Sequence, residues 1–278
     1  MEKAISIWAY PADWSLTRCF DLAAKAELDA VELAYAADGP INPKTSSAEI
    51  KAICKQASDA GVELSSLATG IFWSVNMLSA EPGMRQAAGQ HVTRMLELAA
   101  ELGVDHILVV PGFTGPFEAG PKVVDDYDVV WQWALEDFRK LAKVAEQNKV
   151  AIGIENVWNK FLTNAYEMRA FIDTVGSPYV GAYLDVGNCL RTGYPEHWVK
   201  MLGKRIKGVH FKDFRVGVGN LTGFVDLLEG DVNYPEVMQA LNEVGYDGAC
   251  VVELFARRLY PEGLIERIGL DMKSIFGR

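Results

Sequence analysis

The stretch VAIGIENVWNKFLTNAYEMRAFIDTVGSPYVGAYLDVGN, residues 150–188, contains one complete strand–helix–strand repeat. Val150 to Glu155 is a short apolar run suited to a buried strand. The segment behind it stops at Val175-Gly176, where glycine can adopt the left-handed backbone that ends a helix. A second apolar run, Val180 to Asp185, follows within a few residues. This is the unit of a parallel sheet with crossover helices. The rhythm continues in both directions, with candidate strands at Ala4 to Trp8, Ala30 to Ala34, Val62 to Ala68, His106 to Val110, Ile206 to Phe211 and Ala249 to Leu254. Their starts are spaced by roughly 25 to 45 residues, as expected of repeated β/α units.

Helical periodicity fills the intervals. Thr17 to Leu28, Ser47 to Ala60, Glu81 to Leu102 and Val129 to Asn148 place apolar residues three and four apart. Leu102-Gly103, Leu202-Gly203 and Val244-Gly245 repeat the glycine stop. Eight strand–helix pairs in a chain of 278 residues predict one (β/α)8 TIM barrel, a single domain over residues 1–278. No G-x-G-x-x-G follows the first strand, so a dinucleotide fold lacks its marker, and Gly217-Val218-Gly219 reads as a flexible loop.

The composition is that of a soluble globular chain, 50% hydrophobic and 23% charged. Neither a secretory leader nor an apolar run long enough to span a bilayer is evident, so a cytoplasmic protein without a membrane partner is expected. A formal net charge of −10, with no basic run, disfavours nucleic acid. Cys19, Cys54, Cys189 and Cys250 form no C-x-x-C pair and are expected to be buried reduced thiols.

Four successive predicted strands end on a residue able to bind metal: Ile154-Glu155-Asn156, Leu184-Asp185-Val186, Val209-His210-Phe211 and Val252-Glu253-Leu254. Each alone fits a solvated or helix-capping side chain. Together they say more, because the carboxyl ends of barrel strands converge on one mouth. Three acids and an imidazole meeting there would repel one another and lose hydration unless a cation offset the charge. One divalent metal ion held by Glu155, Asp185, His210 and Glu253 is therefore expected. Oxygen-rich ligation with one imidazole points to Mn²⁺ first, with Mg²⁺, Co²⁺ or Zn²⁺ as alternatives.

These motifs, with Asp185-Val186-Gly187-Asn188, Val209-His210-Phe211-Lys212-Asp213, the early Val31-Glu32-Leu33 and the late Glu229-Gly230-Asp231-Val232-Asn233-Tyr234, resemble the xylose-isomerase-like sugar (phosphate) isomerase/epimerase superfamily. The similarity is greatest to the ketose 3-epimerases and L-xylulose-5-phosphate 3-epimerases. It implies a metal-dependent epimerase or isomerase that acts on a ketose or ketose phosphate through a cis-enediolate, with C3 epimerisation favoured. Glu155 and Glu253 would then be both ligands and acid/base groups. Two carboxylates on opposite faces of one carbon can remove its proton and return another from the far side. Hydroxypyruvate-type isomerisation and keto-polyol dehydration are alternatives on the same scaffold. An apurinic endonuclease or a non-catalytic sugar-binding barrel are remoter ones.

The chain departs from the free-sugar epimerases at two positions. Asn188 stands where they carry a histidine, and Phe161 where they carry a further glutamate. Lys212, Arg191, Lys160 and Arg215 lie near mouth loops and are candidates for a phosphate or polar sugar end. Lys212 comes first among them because it lies two residues beyond His210, on the same side of the strand. Asn188 is a candidate substrate contact for its place beside Asp185. Trp8, Trp73, Phe113 and Trp158 fall at strand ends, where rings could stack on a sugar. Glu32 could contact substrate or hold a neighbouring histidine or lysine. His91, His106 and His197 are expected to be structural or exposed. Trp131, Trp133 and Met95 follow helical stripes suited to the core or to a homo-oligomer interface.

Overall fold

The computed structural model describes residues 1–114 and 125–277. The strands in chain order are β1 (Glu2–Ser6), β2 (Ala30–Tyr35), β3 (Glu63–Thr69), β4 (His106–Val109), β5 (Ala151–Glu155), β6 (Val180–Asp185), β7 (Ile206–Phe211), β8 (Asp213–Phe214), β9 (Phe224–Val225) and β10 (Ala249–Val252). Eight of them close a parallel barrel in the order β1-β10-β7-β6-β5-β4-β3-β2, with β1 pairing back to β2. The short β8 and β9 form a separate antiparallel ribbon beside it. The predicted (β/α)8 barrel is thus the observed fold.

The helices are α1 (Leu16–Lys25), α2 (Ser47–Ala60), α3 (Pro82–Leu102), α4 (Tyr127–Asn148), α5 (Ala165–Val175), α6 (Val186–Cys189), α7 (Pro195–Leu202), α8 (Tyr234–Val244) and α9 (Pro261–Phe276). α2 starts where the sequence predicts because Ser46 and Glu49 form a reciprocal capping box. Gly103, Gly176 and Gly245 end their helices in the left-handed conformation. Gly203 does not: its φ of 53° and ψ of −128° lead into a 3₁₀ turn before β7. α1 ends at Lys25, short of Leu28, since Glu27 takes a positive φ of 57°. The first strand likewise ends at Ser6, and Ile7 to Ala9 form a 3₁₀ turn that lifts Trp8 over the mouth.

Register aligns the site. Asp185 of β6 pairs with His210 of β7, and His210 pairs in turn with Val251 of β10. Inside the barrel, Tyr183 is fully buried and reaches from β6 to β2. Its ring occupies space that Gly208 leaves, where an added Cβ would lie 2.6 Å from Tyr183 Cε2. Met95 belongs to the core, and Trp131 packs edge-on against Phe171 with centroids 5.1 Å apart. Cys19, Cys189 and Cys250 are buried free thiols, while Cys54 is only half-buried. No helix among the described residues is long and apolar enough to cross a membrane.

Candidate metal centre and its cavity

The ends of β5, β6 and β7 and the residue after β10 bring Glu155, Asp185, His210 and Glu253 together, each offering a ligand atom within 4.8 Å of the others. Asp185 and His210 are fully buried, and Glu155 and Glu253 are 7% exposed, which makes them the floor of a cavity rather than its rim. His210 Nδ1 lies 3.5 Å from Glu155 Oε1 and 3.6 Å from Glu253 Oε2. Its other nitrogen, Nε2, donates to Glu32 Oε1 at 3.0 Å. Glu32 also accepts from Tyr183 at 2.5 Å and Ser66 at 2.7 Å. That network orients the ring so that Nδ1 faces the carboxylates, as buried metal-binding histidines require.

Asp185 is fixed from its own loop. Its Oδ1 accepts from the Asn188 backbone N–H at 2.7 Å, and its N–H donates to Asn156 Oδ1 at 2.8 Å. Asn188 Nδ2 donates to the Asn156 carbonyl at 2.9 Å, so the two asparagines bracket the ends of β5 and β6. Sequence reasoning missed Asn156 in this role, although its place directly after Glu155 was the available signal.

Electrostatics leave the cluster short of positive charge. Burial pushes the Glu155 carboxyl up to about 7, and Glu253 and Asp185 add to the push. Burial also raises Asp185. Glu253 lies below its ordinary range: burial opposes its charge, but Lys212 and His210 outweigh it. Burial likewise disfavours charge on Glu32, and His210 overrides that to hold it low. His210 itself is held well above the usual histidine range by these carboxylates, against the cost of burial. Lys212 Nζ, 3.2 Å from Asp185 Oδ2 and in ion-pair contact with Glu253, supplies the second positive charge.

The donor set fits a divalent cation. His210 Nδ1 is buried without a hydrogen bond, and the buried Asp185 Oδ2 and Glu253 Oε2 share the single ammonium of Lys212; all three belong to the cluster. Such atoms are costly unless something binds them. Four buried carboxylates, counting Glu32, against one lysine and one histidine also leave a negative excess that a cation offsets.

A cavity of about 730 Å³ opens above this floor. Of the residues expected to meet substrate, Trp8, Trp158, Asn188 and Lys212 line it, as does Trp73. Trp158 is fixed by donating Nε1–H to the Asn188 carbonyl at 3.1 Å. Three expected contacts lie elsewhere. Glu32 is sealed beneath the floor behind His210. Phe113 is outside the lining, its backbone clamped by Asn76 at 2.9 and 3.2 Å. Arg215 is 53% exposed and turned to Glu229. Lys160 and Arg191 line a second cavity of about 500 Å³, which shares Val157, Trp158, Asn188 and Leu221 with the first. The stretch around Gly217-Val218-Gly219 is flanked by β8 and β9, whose ribbon brings Leu221, Phe224, Val225 and Asp226 to the cavity wall. The other histidines are structural or away from the mouth: His91 Nδ1 meets the Tyr35 hydroxyl at 2.8 Å, and His106 Nδ1 meets Asp105 at 2.6 Å.

Residues 20–272 match the family described as xylose isomerase-like TIM barrel. Two relatives align over part of the chain. A 3-oxo-isoapionate decarboxylase of Pectobacterium atrosepticum is 28% identical over 65% of this chain and 54% of its own. A D-psicose 3-epimerase of Enterocloster bolteae is 27% identical over 50% of this chain and 45% of its own. The chain therefore spans about half the length of each. Among solved structures, a D-psicose 3-epimerase with D-tagatose from Clostridium cellulolyticum H10 superposes with a TM-score of 0.80 at 20% identity, covering 99% of this chain and 98% of that one.

Proposed function

Because the chain belongs to the xylose isomerase-like TIM barrel family, we propose that it is a divalent-metal-dependent sugar epimerase that moves a proton on the carbon beside a ketose carbonyl, with C3 favoured. The observation that carries this reading is the placement of Glu155 and Glu253 on either side of the Asp185–His210 pair, at the cavity floor. The names of the D-psicose 3-epimerase relative and structural neighbour support the same reaction class.

Glu155, Asp185, His210 and Glu253 would hold the cation, with Mn²⁺ as the first candidate for three oxygens and one nitrogen and Mg²⁺, Co²⁺ or Zn²⁺ as alternatives. When bound, it supplies positive charge to the sugar's carbonyl and adjacent hydroxyl oxygens, which acidifies the intervening C–H. Glu155 and Glu253 come from strands separated by β6 and β7, so they approach the reacting carbon from different sides. One takes the C3 proton and the other returns a proton to the opposite face. Lys212 presents its ammonium between Asp185 and Glu253, where it stabilises negative charge developing on a sugar oxygen. Trp8 and Trp158 enclose the sugar and exclude water. A phosphorylated ketose would place its phosphate in the second cavity, with Lys160 and Arg191.

The test is incubation of chelated and Mn²⁺-restored protein with free and phosphorylated ketoses in D₂O. Deuterium at C3 with an inverted product, lost on chelation, is the expected result. Label at C1 or C2 would make it an isomerase, and loss of water a dehydratase. A Glu155→Gln variant with full turnover would remove the acid/base assignment.

A further inference from the structure

We infer that the outer half of the cavity is a subsite for a second, uncharged ring, so that the substrate is a keto sugar joined through a hydroxyl remote from its reacting carbons to another sugar or aglycone. This rests on the proton-transfer reading above. Size is the first argument. At about 30 Å³ per water, the 730 Å³ above Glu155 and Glu253 would hold roughly two dozen solvent molecules. A single ketose has roughly a dozen non-hydrogen atoms, packed more tightly than water, so it fills at most about half of that space.

The walls of the remainder favour stacking, since Asp226 is paired with Arg257 and the exposed side chains beside it are apolar. Trp73, Leu221 and Phe255 line the cavity while remaining 42%, 57% and 73% exposed, which places them at its outer end. Apolar surface of that extent beside a polar floor marks a ligand surface. The C–H face of a pyranose or an aromatic aglycone would cover these side chains and leave its hydroxyls in water. Charge argues against an anionic appendage here. Lys212 is the one cationic residue lining this cavity among those described, and it is already paired with Asp185 and Glu253.

The outer wall is also held by contacts within the chain. The Ala256 N–H donates to the Trp8 carbonyl at 3.0 Å, and Arg257 forms an ion pair with Asp226. These contacts tie the segment after β10 to the mouth and to the segment after β9, so little ordering entropy remains to be lost on binding.

The experiment compares D-fructose, D-fructose 6-phosphate, isomaltulose and maltulose, in D₂O with the Mn²⁺-loaded full chain. The last two carry a glucose ring on O6 and O4 of the ketose, and the phosphate shares the O6 position. We expect kcat/KM for exchange at C3 to be at least about tenfold higher for a two-ring ketose than for D-fructose. A Phe255→Ala/Leu221→Ala variant should lower that ratio by about the same factor. The inference is overturned if neither two-ring sugar exceeds D-fructose, if the phosphate is preferred over both, or if the variant lowers all substrates equally. Absence of exchange on every substrate would instead sink the proton-transfer reading. Tryptophan fluorescence of the metal-free protein titrated with isomaltulose then decides the subsite alone. Saturable binding weakened by the double substitution supports it, and no binding overturns it.

Discussion

Nε2 of His210 lies 3.0 Å from Oε1 of Glu32, both side chains fully buried and 178 residues apart in sequence. The contact fixes which imidazole nitrogen faces the four-residue cluster. A Glu32→Gln substitution keeps the shape but removes the charge, and Tyr183 and Ser66 then donate to a weaker acceptor. Mn²⁺ affinity measured by calorimetry should fall by about 10- to 100-fold with little change in far-UV circular dichroism. Unchanged affinity would mean that His210 needs no such support.

The space for Tyr183 depends on Gly208. In Gly208→Ala the new Cβ would meet Tyr183 Cε2 at 2.6 Å and His106 Nε2 at 2.7 Å, so the tyrosine must move and its bond to Glu32 weaken. Urea unfolding should show a loss of about 1–3 kcal/mol. Mn²⁺ affinity should fall with it, whereas a purely local clash would cost stability alone.

Phe161 is 1% exposed and packs against Tyr127, Trp131 and Phe171 with centroids 5.5, 6.2 and 5.8 Å away. The position that carries an acid in free-sugar epimerases is therefore core in this chain. Phe161→Ala should cost about 3–5 kcal/mol in chemical denaturation. Phe161→Glu would bury a carboxyl with a raised pKa, whose contribution is most favourable below about 4.3 and is lost as pH rises. Its destabilisation should grow from pH 4 to pH 7, and equal stability at both would show that the acid escapes to solvent.

The barrel and its four mouth residues were legible because strand ends are written in local sequence. β6 and β7 run as predicted from Val180 to Asp185 and from Ile206 to Phe211. Glu253 was legible too, although it stands one residue beyond β10, where its N–H still donates to the Phe211 carbonyl at 3.0 Å. What was not legible depends on contacts distant in sequence or on loop direction. Glu32 reads equally well as a substrate contact until its partner is seen across the barrel. Phe113 and Arg215 follow strand ends as Trp158 does, but Asn76 and Glu229 draw them aside. The ribbon that supplies Phe224, and whose connection carries Leu221 in a 3₁₀ turn, pairs only two residues on each side, too few for a periodic signal.

Metal binding should depend on pH through Glu155. In the metal-free protein, burial pushes its carboxyl up to about 7, so below that pH the proton occupies a position the cation requires. The sign follows from linkage. Relative to the unfolded chain, the raised pKa gives stability that is fully present below about 4.3 and is lost as pH rises through about 7. The metal-free fold therefore bears the larger electrostatic cost at pH 8, where a cation relieves it most. Thermal unfolding with and without Mn²⁺ should show a larger upward shift at pH 8 than at pH 6. Apparent affinity should drop by up to about tenfold for each pH unit below 7, as expected for release of one proton. Glu155→Gln should flatten this profile as well as weaken binding. A variant that binds more weakly but keeps the wild-type pH dependence would assign the proton to another member of the cluster.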